Sequence, residues 1–214
     1  QSSQIIDKNK LDIEAAQSKG MSAAMIDRLV LNEERITQIS NDALSVSKLD
    51  DVVGEIIDHK VMDNGLDVSR IRVPLGVIGV IYESRPNVTI DIACLCIKSG
   101  NAVILRGGSE SINSNLILAQ IIQKVLSDMH LSTEIVQLVQ SIDRSLINEM
   151  LRLNEYIDLM IPRGGQELVN MVADNASMPS ITGGVGVCHT YIDESANWND
   201  AVEIVNNAKV QRPY

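Results

Sequence analysis

The chain contains no phenylalanine, and aromatic residues fill only 2% of its 214 positions. A core must therefore be built from Ile, Leu, Val, Met and Ala, the usual filling of a parallel sheet covered by helices on both faces. Three cysteines, Cys94, Cys96 and Cys188, are too few for a disulfide framework, and their apolar settings fit a reducing cytoplasm. Positive charge is scarce: 18 Lys and Arg stand against 28 Asp and Glu, a formal net charge of −10. Such a surface repels a polyanion on average, which argues against nucleic acid as a partner. The longest apolar run, Val73 to Tyr82, falls short of the roughly 20 residues that cross a bilayer, so no membrane partner is expected. Gln1-Ser2-Ser3-Gln4 also lacks the basic, then apolar, opening of a secretory signal.

What the sequence does have is an alternation. Val77–Tyr82 is a near-continuous apolar run, as expected of a strand buried on both faces. A helix is predicted over Val88–Lys98, ending at Ser99-Gly100, with Asn87 as a candidate N-cap. Ala102–Leu105 is a second buried strand; Leu118, Ile121, Ile122, Val125 and Met129 then recur at helical spacing. Ile135–Val139, a short helix opened by Asp143, and Ile157–Ile161 continue the pattern, followed by a helix through Val172. Strand, glycine turn and helix at this interval predict an α/β fold with a parallel Rossmann-like sheet and helices on both faces.

Ahead of this region, Ile56 to Arg72 reads as two extended segments around Asp63-Asn64-Gly65, a β-hairpin with a type I′ turn. Such an appendage either docks on a partner subunit or packs as an edge hairpin on its own domain. Ile5 to Lys19 is helical in period, and Trp198 to Lys209 forms a helix with Ala201, Val205 and Ala208 on one face.

Two turns carry the same chemistry. Arg106-Gly-Gly-Ser109 and Arg163-Gly-Gly165 each join a strand to a helix, where free N–H groups and the helix dipole favour an anion. Each glycine pair alone is equally a tight turn; neither is a Walker loop or a G-x-G-x-x-G motif. Two such turns, each with an Arg at the junction, point to phosphate binding. Tyr82-Glu-Ser-Arg-Pro-Asn87 follows the first buried strand at its carboxyl end, where ligands sit in open α/β sheets; the alternative is a capping loop. Cys188-His189 resembles a thiolate–imidazolium pair, but adjacent strand residues diverge, which favours a buried structural cysteine. Cys94 and Cys96 diverge on a helix, so no metal site is expected. His59 and His130 read as isolated, solvated residues, and the eight Met as core filler.

The segments Val73–Val88, Gly100–Gly108, Tyr156–Gly165 and Asn207–Pro213 together resemble the γ-glutamyl phosphate reductases of the aldehyde dehydrogenase superfamily. The resemblance runs from about Ile5 to the last residue. It implies a cytoplasmic enzyme of proline biosynthesis that uses NADPH to reduce γ-glutamyl phosphate to glutamate semialdehyde, releasing phosphate. It places Arg106, Gly107, Gly108 and Ser109 at the adenosine ribose, where a Ser instead of an acid favours a 2′-phosphate. Arg163, Gly164 and Gly165 match the turn beside the pyrophosphate, and Arg85, Pro86 and Asn87 the loop near the reacting carbonyl. Thr182 and Gly183, in Ile181-Thr-Gly-Gly184, stand where hydrolytic aldehyde dehydrogenases carry Glu-Leu-Gly-Gly. A reductase needs no such water-activating Glu.

The resemblance also implies a nucleophilic cysteine just after Tyr214, so that these residues alone bind cofactor without turning over substrate; Cys188 is the alternative nucleophile. It divides the chain into an N-terminal helical part of the cofactor domain (1–53), a hairpin that serves as a possible oligomerisation arm (54–73), an NADP-binding domain (74–192) and the start of a catalytic domain (193–214). A homodimer or higher oligomer, and functional coupling to glutamate 5-kinase, follow as expected partners. Rival readings are a CoA-acylating or other acyl-reducing aldehyde dehydrogenase, or a stand-alone nucleotide-binding module.

Overall fold

In a computed structural model, residues 1–183 and 188–210 are described. Three helices come first: α1 (Ser2–Ser18), α2 (Ala23–Leu29) and α3 (Glu33–Ser47). Antiparallel strands β1 (Ile56–Val61) and β2 (Asp67–Ile71) form the hairpin. Then β3 (Val77–Tyr82), α4 (Asn87–Lys98), β4 (Ala102–Arg106), α5 (Ile112–Asp128), β5 (Val136–Leu138), α6 (Ser145–Met150), β6 (Leu159–Arg163) and α7 (Gln166–Asn175) alternate. The chain divides into two units, Gln1–Gly183 and Gly184–Tyr214. Helix α8 (Trp198–Val210) lies in the second, matching the helix predicted there. Among the described residues no helix is long and apolar enough to cross a membrane.

The four sheet strands are all parallel, in the order β5-β4-β3-β6. The alternation of β3 explains its continuous apolar sequence. Ile78, Val80 and Tyr82 join Val88, Ala93 and Cys96 of α4, and Leu126 of α5, in one core. Ile81 faces the other way, with Ile147 and Met150 of α6 and Leu168 and Val172 of α7. Both sheet faces are thus closed by helices, and about 25 cal/mol per Å2 of apolar area removed from water drives that closure. A third cluster, with Ile5, Leu31 and Leu118, lays α1 on α5.

Three sequence expectations shift. The strand predicted at Ile157–Ile161 runs from Leu159 to Arg163, so Pro162 and Arg163 belong to β6 and not to its turn. Met160 donates to Pro179 and accepts from Ile181 on the side away from β3, and Pro162 points the same way. Its missing N–H therefore removes nothing from the β3–β6 ladder. The hairpin turn is not type I′: only Gly65 has positive φ (85°), and the Gly65 amide donates to Met62 O at 2.8 Å. This is a three-residue loop closed by a glycine bulge. Every residue from Asp51 to Leu75 is exposed, so the hairpin does not pack on its own domain.

His59 is exposed but not isolated, since its Nε2 lies 2.6 Å from Asp67 Oδ1 across the hairpin. His130 is exposed and takes a left-handed backbone (φ 60°) just beyond α5.

Candidate functional site at the carboxyl edge of the sheet

Three strand-to-helix turns gather at one edge of the parallel sheet: Glu83–Pro86 after β3, Gly107–Ser109 after β4, and Gly164–Gly165 after β6. The chain runs outward from β3 to β4 to β5 and then returns to place β6 on the other flank of β3. That reversal opens a crevice between the ends of β3 and β6, the position at which open α/β sheets bind ligands. A parallel bridge from Met160 to Ser180 directs Thr182 and Gly183, both exposed, toward the same edge.

The two Arg-Gly-Gly turns, alike in sequence, are opposite in structure. Arg106 stands across from Ile81 in the ladder, and Arg163 across from Tyr82. Successive residues of a strand point to opposite faces. Arg106 therefore projects to the face of α6 and α7, and Arg163 to the face of α4 and α5.

Their amides are not equally bare either. At the start of α5, Asp12 of α1 accepts four hydrogen bonds, from the amide and Nδ2 of Asn113 and from the amide and Oγ of Ser114. A carboxylate of the chain already occupies the positive end of that helix. Gly107 and Gly108 are buried, and a Cβ at Gly107 would collide with Asn115 and Tyr82. The Asn113 and Ser114 amides are therefore taken, while the glycines of the preceding turn lie buried, Gly107 against Asn115 and Tyr82. At α7 the turn is exposed, but Glu83 Oε2 accepts from the Gly165 amide at 2.8 Å.

Arg106 is what remains unanswered. Only 7% of it is exposed, and its Nε is enclosed without a hydrogen-bond partner among the described residues. Burial lowers its pKa; the Glu110 carboxylate opposes that shift and Arg144 adds to it. Ser109 opens the short 3-10 turn ahead of α5, half-buried.

On the other face, Asn87 is the first residue of α4 and not its N-cap, and its Nδ2 donates to Asp91 at 2.9 Å. Burial raises the Asp91 carboxyl above its ordinary range, against the pull of the Asn87 hydrogen bond. Arg85 lies half-buried in the loop before it. Ser84 holds a positive φ of 45°, an arrangement an L-residue adopts at a cost. Glu110 fixes it, accepting from the Ser84 amide at 2.6 Å and its hydroxyl at 2.9 Å.

Cys188 is exposed and lies outside any strand, which corrects the expectation of a buried structural cysteine. Residues 184–187 and 211–214 lie outside the described residues, and with them the second glycine of Thr182-Gly-Gly184. Sequence reasoning missed Asp12, Glu83 and Glu110 as site-forming residues. One signal was available: Ile5, Asn9, Asp12 and Ala16 share the buried stripe of α1, so two polar residues sit where apolar ones are expected.

This sheet, with its helices and its polar carboxyl edge, has the aldehyde dehydrogenase fold. An acetylating aldehyde dehydrogenase from Geobacillus thermoglucosidasius, 21% identical, superposes with a TM-score of 0.68 over 98% of this chain and 47% of its own. Within that class the similarity is to γ-glutamyl phosphate reductase. The reductase of Serratia proteamaculans is 50% identical over 209 residues, 98% of this chain and 50% of that protein. The crystal structure of the Thermotoga maritima reductase is 45% identical with a TM-score of 0.89, covering 99% of this chain and 51% of its own. That of Saccharomyces cerevisiae is 33% identical with a TM-score of 0.77, covering 97% and 53%. The chain spans about half the length of the curated relatives it matches. No family model matches it.

Proposed function

We propose that the chain is the cofactor-binding part of an NADPH-dependent reductase of L-glutamyl 5-phosphate, which yields L-glutamate 5-semialdehyde and phosphate in proline biosynthesis. The observation that carries this reading is 50% identity to γ-glutamyl phosphate reductase sustained over 98% of the chain. The fit to a nicotinamide dinucleotide rests on Arg106, whose enclosed Nε lacks an acceptor at the edge where such ligands bind. When bound, a reduced nicotinamide would supply the hydride that takes the acyl carbon to the aldehyde level.

The chain's own residues divide the task by face. Arg106, Ser109 and the Gly107-Gly108 turn hold the adenosine end. Arg163, Gly164 and Gly165, with Thr182 and Gly183, line the passage of the pyrophosphate, where Glu83 now engages the Gly165 amide. Arg85 and Asn87 face the reacting acyl group, where one Nδ2 hydrogen of Asn87 is committed to Asp91 and the other is free to meet an oxyanion.

Titrating the chain with NADPH and NADH tests the cofactor assignment directly, and failure to bind either overturns it. Offering γ-glutamyl phosphate and an acyl-CoA to the complete protein separates this activity from that of a CoA-acylating aldehyde dehydrogenase. Reduction of the acyl-CoA alone would decide for the rival.

The exposed hairpin supports a second copy of this chain as partner. Ile56, Val61, Leu66, Val68 and Ile71 are each between 46% and 59% exposed, and a two-stranded ribbon gains little stability unless a face is covered. A glutamate 5-kinase, which makes the acyl phosphate, is the expected metabolic neighbour. Three free cysteines fit a cytoplasmic location.

A further inference from the structure

Asn87 and Asp91 lie four residues apart on one face of α4. The opposite face anchors the start of that helix: Thr89 Oγ1 meets the Tyr82 hydroxyl at 2.7 Å and donates to Asn115 Oδ1 at 3.2 Å. The backbone that carries Asn87 is thereby tied to β3 and α5, and what remains free is the torsion of its side chain. Its Oδ1 accepts no hydrogen bond among the described residues, and its Nδ2 has one partner there, Asp91 Oδ2 at 2.9 Å.

Asp91 is half-buried, makes no ion pair among the described residues and accepts one hydrogen bond there, from Asn87. Beside it an open cavity of about 200 Å3 between α3 and α4 is lined by Asp42, Val46, Cys94 and Leu95. The other charged residue on that wall is thus a second acid. Burial is the main cause that raises the Asp91 carboxyl. The Asn87 hydrogen bond opposes it, Asp42 adds to the rise, and the pull of Arg163 is the weakest of the four. Half-burying a carboxylate near another carboxylate is costly, and one amide contact along a helix offsets little of it. The pair is poorly explained as a device for holding α4 together.

An ionised carboxylate can only accept, so it holds the Asn87 amide by its nitrogen and excludes the flipped orientation. We propose that Asp91 is a positioning residue for the reduction, fixing the Asn87 amide so that its second Nδ2 hydrogen meets the oxyanion that forms on the acyl carbon. This rests on the place of Asn87 in the reading above and adds Asp91, which acts through it. With the amide flipped, a carbonyl oxygen would face the developing negative charge and repel it. The orientation therefore bears on the transition state more than on substrate binding.

The test uses the complete protein, assayed with L-glutamate 5-semialdehyde, phosphate and NADP+, the reverse of the reduction, which passes through the same oxyanion. Asp91→Asn keeps the size of the side chain but donates as well as accepts, and so tolerates both orientations; Asp91→Leu offers neither bond. Both should lower kcat about ten- to hundredfold at unchanged KM for the semialdehyde, with thermal unfolding as a check on folding. Asn87→Ala should lower kcat about a hundred- to a thousandfold. Adding either Asp91 substitution to it should lower kcat no further, because no amide is left to position. Where one Asp91 variant does not fold, the other carries the comparison. A further fall in the Asn87→Ala background, or a rise in KM at unchanged kcat, overturns the positioning role. So does wild-type kcat in the Asp91 variants, or failure of both to fold. In each of these cases the loss in Asn87→Ala leaves the reading of Asn87 intact. Unchanged kcat in Asn87→Ala overturns that reading, and the role of Asp91 with it.

Discussion

Asp12 grips Ser114 twice, accepting from its amide at 2.8 Å and from its hydroxyl at 2.6 Å. The carboxylate is 2% exposed and comes from a helix about a hundred residues earlier in the chain. It does for α5 what a capping side chain usually does locally, and so sets where the Gly107–Ser109 turn sits.

Asp12→Ala should therefore cost about 2–4 kcal/mol, since it strands donors on half-buried Asn113 and buried Ser114. Urea denaturation measures the loss. A cost within about 0.5 kcal/mol, the range of surface substitutions, would mean that the cap is dispensable.

Tyr82 makes stability sensitive to alkali. Burial pushes its hydroxyl up to about 12, against the hydrogen bond to Thr89. The raised value means that the folded state keeps a proton which the unfolded chain gives up near pH 10. Its contribution is whole below about pH 10 and is lost as pH rises toward 12, roughly 2–3 kcal/mol in all. Denaturation curves at pH 9, 10.5 and 11.5 should show Tyr82→Phe losing less stability over this range than the wild type. Parallel decline of the two would contradict it.

The three thiols should label in a fixed order. Burial holds Cys96 up at about 11, and burial with the Asp91 charge also raises half-buried Cys94. Cys188 is exposed. Iodoacetamide at pH 7.5, followed by peptide mass spectrometry, should modify Cys188 first, Cys94 more slowly, and Cys96 only on unfolding. Early labelling of Cys96 would show that α4 does not pack as described.

Strands β3 and β4 were legible because a strand buried on both faces leaves an unbroken apolar run in sequence. Val77–Tyr82 was predicted to the residue. Strand β6 was placed two residues early, because Ile157 is buried in the loop before it and Pro162 looked like a terminator. The hairpin was legible, but not its turn, since Asn64-Gly65 is compatible with more than one loop length. The site was legible as a set of turns and not as an arrangement. Nothing in two Arg-Gly-Gly motifs reveals that one pairs with Ile81 and the other with Tyr82, a one-residue offset that separates them by the thickness of the sheet. Nor does local sequence show that Asp12 and Glu83, from distant positions, already hold amides at the two helix starts.

Ser84 and Glu110 carry a mechanical consequence. One carboxylate oxygen latches the left-handed residue that aims the Arg85–Asn87 loop, and that carboxylate grows from the turn following Arg106. The turns that follow β3 and β4 are therefore yoked. A molecule that presses Glu110 aside releases Ser84 to unwind, and whatever straightens Ser84 tugs on the turn beyond β4.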